Sequence, residues 1–317
     1  MGSDAHVVVV GADSSLADAA RARIEELEGL WSRFRPESEV SRLNRHAGSF
    51  VPISRETALL LGRAIEGAQL SGGAFDATQL DAIVASGYDR DYEELLALSR
   101  DEGGLLSPEF VGNRGTCDPI EVREATARLR SGVGFDPGGI GKGAAADLVV
   151  AELLAEGAAG ACVNLGGDLR VAGESPEGDG WTIAIEHPWS AQPVALVGVA
   201  TGGVASSTTL KRRWLVGKSW RHHLIDPRTG LPSDSDLTHA TVIAGEAWTA
   251  EVLAKAVLLN GSDLAFNILG GTGAESLIVD EQGRVSATNG FGAFLGGAEL
   301  PANVLRSRFQ AAAQGAS

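Results

Sequence analysis

The chain has 317 residues, 44% hydrophobic and 21% charged, which is enough apolar material for one large packed domain or two modest ones. Its net charge of -15 argues against nucleic acid or an anionic membrane surface as the main partner. Two cysteines, Cys117 and Cys162, with no CxxC pair and no Cys/His cluster, support neither a disulfide framework nor a structural zinc. No apolar run reaches the ~18 residues of a membrane span, and the opening MGSDAHVVVVGADSS lacks a signal peptide's basic start and cleavage site, so the chain as written reads as cytoplasmic.

Residues 6–10 read as a buried strand, and residues 15–34 as a helix with apolar positions at helical spacing behind a capping-type serine. A second helix, 54–71, is expected to stop at Gly72-Gly73. There the motif GGAFDAT, residues 72–78, sets an aromatic ring beside flexible backbone, an arrangement that can cover a flat ligand face. On its own the motif is a weak signal, because Phe75 suits the core better than a ring-stacking role. Residues 78–130 mix short helical runs with charged turns and read as packing and lid.

The strongest signal is FDPGGIGKGAAAD, residues 135–147, a glycine-dense loop opening a helix over 141–156. Glycines let a ligand approach the backbone, first-turn amides favour an anion, and Lys142 adds a movable positive charge. Only four of the 26 basic residues are lysines, Lys142, Lys211, Lys218 and Lys255, so a lysine inside a motif is an informative choice. The loop is neither a Walker loop, because no Ser or Thr follows the lysine, nor GxGxxG. Tight packing is the bland explanation of such glycines; Asp136 and Lys142 weigh against it. Next come a strand at 161–165 and VNLGGD, residues 163–168, a tight turn that sets Asn164 and Asp168 around two glycines, as an ordinary strand-end turn also would.

Half-buried strands are expected at 181–186 and 194–200, followed by HHLIDPRTG, residues 222–230. A histidine near its ordinary pKa can take a proton from a hydroxyl, and Asp226 can orient either the turn or the ring; a surface turn with two solvated imidazoles is the competing reading. A strand at 240–244 leads to a helix over 247–260 that is apolar nearly all round and therefore buried. Within it Glu251 and Lys255 lie four apart, placed to pair with each other unless Lys255 snorkels to water. The tail from Ala311 is expected to be disordered, and no repeat with a period of about 20 to 50 residues is visible.

Taken in order, MGS at the start, SEVSRLN at 38–44, GGAFDAT, DPGGIGKGAAAD, NLGGD and HHLIDPRTG resemble the signature of the FAD:protein FMN transferase family, the ApbE-like flavin transferases. The resemblance covers most of the chain. It implies a mixed α/β fold in one flavin transferase domain, residues 1–310, with two tightly packed halves, FAD between them and 311–317 as the tail. It implies transfer of FMN from FAD to a Ser or Thr hydroxyl of an acceptor flavoprotein, with release of AMP. Residue by residue, it places Asn44, Ala74, Phe75 and Asp76 at the flavin, Asp136 and Lys142 along the FAD, and Leu224 near the flavin. His223 becomes the base toward the acceptor, Lys142 meets the pyrophosphate charge, and the Gly139 carbonyl and Glu251 hold magnesium. Two positions depart from the family pattern: Phe34 stands where a tyrosine is usual, and Lys255 where a threonine ligates the metal. An ammonium has no lone pair. That departure leaves two expectations: the Lys255 ammonium standing on the FAD in the ion's place, paired with Glu251, or magnesium slightly displaced and held by Glu251 and backbone oxygen. A FAD-binding protein or FAD pyrophosphatase with little transferase activity is the alternative function.

Overall fold

The computed structural model describes residues 4–101, 120–178, 180–217, 219–296 and 305–306. The MGS opening, Cys117, Lys218 and the tail expected to be disordered lie outside the described residues.

One sheet of eight strands runs through the molecule: Ala5–Val10, Gly160–Leu165, Asp168–Gly173, Gly202–Thr208, Leu237–Ala244, Glu275–Asp280, Val285–Ala287 and Leu305–Arg306 lie side by side in chain order. Every neighbouring pair is antiparallel except the last. The turn at Gly166 and Gly167 has φ of 65° and 100°, the double left-handed geometry whose twist matches an antiparallel hairpin, and it pairs Leu165 with Asp168.

All eight residues of Leu237–Ala244 are buried, because the sheet is covered on both faces. The two-residue period of a strand divides its side chains: Val242, Ala205 and Ile278 meet the helix Ala247–Leu259, while Ile243, Val204, Leu277 and Val279 meet the hairpin of Trp181–Ile185 and Ala195–Val199. On the helical side, the helices Ser14–Trp31, Arg55–Leu70 and Gly141–Ala155 bury Leu27, Trp31, Leu60, Leu61 and Val149 in a second core. The fold is thus mixed α/β, as expected. Among the described residues no helix is long and apolar enough to cross a membrane.

Local chemistry sets the helix ends. Asp13, Ser38 and Ser54 each cap a helix by accepting a backbone N–H from the first turn. The first helix ends at Trp31, short of the expected residue 34, because Ser32 turns extended at ψ 121°; Arg33 and Phe34 are thereby released from the helix. Arg55–Leu70 stops at the glycine pair as predicted, with Gly73 N–H donating to the Ala68 carbonyl at 2.8 Å.

Gly143 decides how the two central helices meet. A Cβ there would lie 2.5 Å from the Ala247 carbonyl oxygen, so only glycine lets Gly141–Ala155 close onto the start of Ala247–Leu259. One turn on, Asp147 accepts the backbone N–H groups of Ala247 and Trp248, both at 2.9 Å, and caps the second helix with a carboxylate from the first. Burial raises the Asp147 carboxyl to about 6, against the pull of those two N–H groups.

Candidate functional site

Two cavities, of about 580 and 490 Å³, open side by side and share Tyr92, Gly138, Lys142, Arg212, His223 and Lys255. The first is walled by Trp31, Arg33, Phe34 and Tyr88; the second by Asp168, Ser206, Thr208 and Leu224. The shared waist therefore carries two ammonium groups, a guanidinium and an imidazole. Such a shape suits an extended ligand with a group at each end and negative charge in the middle.

Lys142 is brought in by the glycine loop. Its ammonium pairs with the buried Asp168 at very close range and lies 3.1 Å from Glu251 Oε1. The other oxygen, Glu251 Oε2, accepts the Gly143 N–H at 2.8 Å. The helix Gly141–Ala155 has no side-chain cap of its own, and one of its first-turn amides, that of Gly143, receives an anion, Glu251. The expected pairing of Glu251 with Lys255 is corrected: the close crossing at Gly143 offers Glu251 an ammonium and a backbone N–H together, which outcompete a neighbour on its own helix.

Lys255 neither snorkels nor pairs. It is partly buried, lines both cavities, and holds its Nζ 5.8 Å from the centre of the Phe75 ring. A Cβ on Gly139 would come within 3.1 Å of that Nζ and of Phe75 Cε2, so the bare glycine is what admits the ammonium. Burial pushes the Lys255 pKa down, while Asp136, Glu251 and Asp76 pull it up from a distance.

His223 also faces the waist, and its Nδ1 is buried without a hydrogen-bond partner. Burial, then the charges of Arg212 and Lys255, hold its pKa well below the ordinary histidine value, so the ring is neutral at pH 7 and has a lone pair to offer. His222 differs: its Nε2 sits 3.1 Å from the Ser233 carbonyl and its Nδ1 accepts the Leu224 N–H at 3.3 Å. Asp226 orients the turn and not the ring, accepting Arg228 through both backbone and guanidinium. Leu224 is buried against the second cavity.

The other expected positions form a layer behind the loop. Asn44 donates to the Phe135 carbonyl at 2.9 Å and accepts its N–H at 2.8 Å, pinning the loop's start without lining either cavity. Asp76 is buried, holding the Thr78 N–H, the Thr78 hydroxyl and Gln79. Phe75 is core, 1% exposed, and Ala74 lines neither cavity. The Asp136 N–H donates to the Ala77 carbonyl at 2.8 Å, so GGAFDAT buttresses the glycine loop. Asp136 itself lines the first cavity, accepts the Gly138 N–H at 3.2 Å and faces Arg33 Nε at 3.4 Å.

Among the lining residues that escaped the sequence reading are Arg33, Tyr88, Tyr92 and Arg212. The guanidinium of Arg33 stacks 4.1 Å over Phe34 and 4.8 Å over Tyr88 and donates to the Tyr88 carbonyl. Tyr88 and Tyr92 lie in the stretch read as packing and lid. Nothing local marks these three: arginine is the chain's ordinary surface cation, and the two tyrosines sit in no motif. For Arg212 the run KRRW at 211–214, basic in an acidic chain, is a usable signal, and its φ of 49° is unusual for a side-chain-bearing residue. Among the described residues no group of three or more His, Cys, Asp or Glu is arranged to hold a metal.

Comparison with known proteins supplies the remaining evidence. The model of the ApbE family matches residues 1–278. The chain is 31% identical over 268 residues to the FAD:protein FMN transferase of Klebsiella pneumoniae, covering 78% of each, and 27% identical over 280 residues to that of Haemophilus influenzae, covering 84% of this chain and 81% of the relative. Its fold superposes on the ApbE protein of Thermotoga maritima with a TM-score of 0.78 at 26% identity, over 91% of this chain and 94% of that one. For the flavin transferase ApbE of Vibrio cholerae the TM-score is 0.76 at 22% identity, over 93% and 96%. Motifs, family match and fold agree: the chain belongs to the ApbE family.

Proposed function

We propose that this chain transfers FMN from FAD to a protein, through attack of a Ser or Thr hydroxyl of an acceptor flavoprotein on the FMN-side phosphorus. The new phosphoester forms as the bond to the AMP phosphate breaks, and AMP leaves with the electron pair. The hydroxyl proton goes to His223. The observation that carries this reading is the paired cavity whose waist bears a neutral, unpartnered histidine among cations. The names of the curated relatives support it, and they do not favour a function limited to FAD storage or hydrolysis.

Each part follows from the wall of the site. The imidazole of His223 is kept unprotonated by its surroundings, which is what a base toward a hydroxyl requires. The dinucleotide spans the two cavities, and its phosphates lie against the shared wall at Gly138 and Lys142. Lys142, tied to Asp168 and Glu251, keeps the loop backbone in place for them. Most of the acceleration then comes from positioning and from charge already in place.

The test is AMP release from FAD by the purified protein, with a threonine-containing acceptor peptide and with the same peptide carrying valine. AMP release matched by flavin fluorescence on the threonine peptide alone is expected. Equal AMP release with both peptides, or with none, would overturn the transfer reading in favour of hydrolysis.

A further inference from the structure

The carboxylates around the waist are all in ion pairs or hydrogen bonds, though the buried Glu251 Oε1 accepts no hydrogen bond and meets only the Lys142 ammonium. Asp168 and Glu251 hold Lys142, Glu251 also holds the Gly143 N–H, Asp136 faces Arg33 and the Gly138 N–H, and Asp76 serves Thr78 and Gln79. Magnesium demands a near-octahedral shell of oxygen, usually from one or two carboxylates with water and phosphate. To ligate it, Glu251 must give up an ammonium or a backbone N–H. The incoming dication also meets Lys255, whose ammonium sits beside Gly139, the residue whose carbonyl the family resemblance assigns to the metal. The residues present do not fit a divalent cation.

The charge at that place is instead already supplied. Among the described residues no carboxylate lies within ion-pair distance of Lys255, whose recorded partner is the face of Phe75. A partly buried ammonium without a counter-anion is unfavourable until an anion arrives, and it lines the wall where both cavities meet. We infer that Lys255 is the cation that neutralises the FAD diphosphate, so that this chain binds and cleaves FAD without a divalent metal. The inference rests on the FAD reading above. Glu251 is then a positioning residue: it fixes Lys142 and the first turn of the loop helix, and leaves Lys255 free to meet the phosphate.

Titration calorimetry of the full chain with FAD, in excess EDTA and in excess magnesium, tests this directly. The two dissociation constants are expected to agree within about threefold. Lys255→Met, which keeps the volume and removes the charge, is expected to weaken FAD binding in EDTA at least about tenfold, as loss of one charge-assisted hydrogen bond does, while Lys255→Arg retains most of it. Matching melting curves for the variants establish that the fold is intact. FAD binding that vanishes in EDTA and returns with magnesium overturns the inference and leaves the FAD reading standing, as does unchanged binding by Lys255→Met. Absence of FAD binding under both conditions overturns both.

Discussion

The same strands present two faces of opposite chemistry. Toward the helices they offer Asp168 and Arg170, beside Asp147, Lys142, Glu251 and Lys255. Toward the hairpin they offer Val171, Leu277, Val279 and Val285, packed on Val197, Val199 and Phe291, with a short polar chain in which His239 meets Thr241 at 2.9 Å and Thr241 meets Ser206 at 2.7 Å. Both faces are packed with hydrocarbon, but only the helical face adds paired charges and a close backbone approach to it. A protein can carry a strongly charged, cation-lined cavity on one side of its sheet because hydrocarbon packed on both sides supplies cohesion that does not depend on those charges.

If that division holds, removing chemistry from the helical face leaves stability nearly unchanged. His223→Ala should lower the transfer rate by about 10²- to 10⁴-fold, the range for losing a general base, with little change in melting temperature. A rate within threefold of the parent would end its role as base. Conversely, Phe291→Ala on the hairpin face should cost about 3–5 kcal/mol in urea unfolding, yet leave FAD affinity per folded molecule as it was. A parallel loss of affinity would show that the faces are coupled.

The pH dependence of stability adds a further test, since buried histidines and a buried carboxylate contribute with opposite signs. Burial lowers His239 from 6.5 to about 4, so the folded chain resists a proton that the unfolded chain accepts. Stability present above pH 6.5 is therefore lost as the pH falls toward 4, on the order of 3 kcal/mol from this group. His223, also held low, adds to that loss on the helical face. Asp147 opposes both: its folded value of about 6 lies above 3.8, so the folded chain takes up a proton first. His239→Gln should flatten the acid loss measured by urea unfolding at about pH 7 and about pH 5, and an unaltered slope would assign the loss to other groups.

The smallest expected effect lies where the two helices cross. Gly143→Ala forces a Cβ against the Ala247 backbone and should cost about 1–3 kcal/mol, as overpacking does. Because Lys142 and Glu251 meet through that crossing, FAD affinity should fall with it. Stability loss with affinity intact would mean that the cluster does not depend on the close approach.

Much of this was legible in the residues. The stop at Gly72-Gly73, the tight turn at Gly166-Gly167 and the loop that opens a helix at Gly141 follow from backbone freedom at glycine, which is a property of one or two residues. The ordered motifs pointed to the family, and the motif histidine lies at the cavity waist. Asn44, marked for the ligand by resemblance, holds the start of the loop that faces it, while Asp76 holds its own turn through Thr78 and Gln79. Arg33 carries no local mark at all; it reaches the cavity because Ser32 ends a helix early.

By itself, then, the sequence determined where the chain turns, that the helix over 247–260 is buried and which residues open the glycine loop, since these depend on local conformation and on periodicity; the strand at 6–10, read as buried, is instead an edge strand with no buried residue. Only the tertiary structure decided which charges are paired. Spacing on one helix placed Glu251 with Lys255, but Glu251 instead bonds Gly143, 108 residues away in the chain, and Lys142 beside it. An ion pair depends on distances of a few ångströms, and here those are set by how closely two backbones cross.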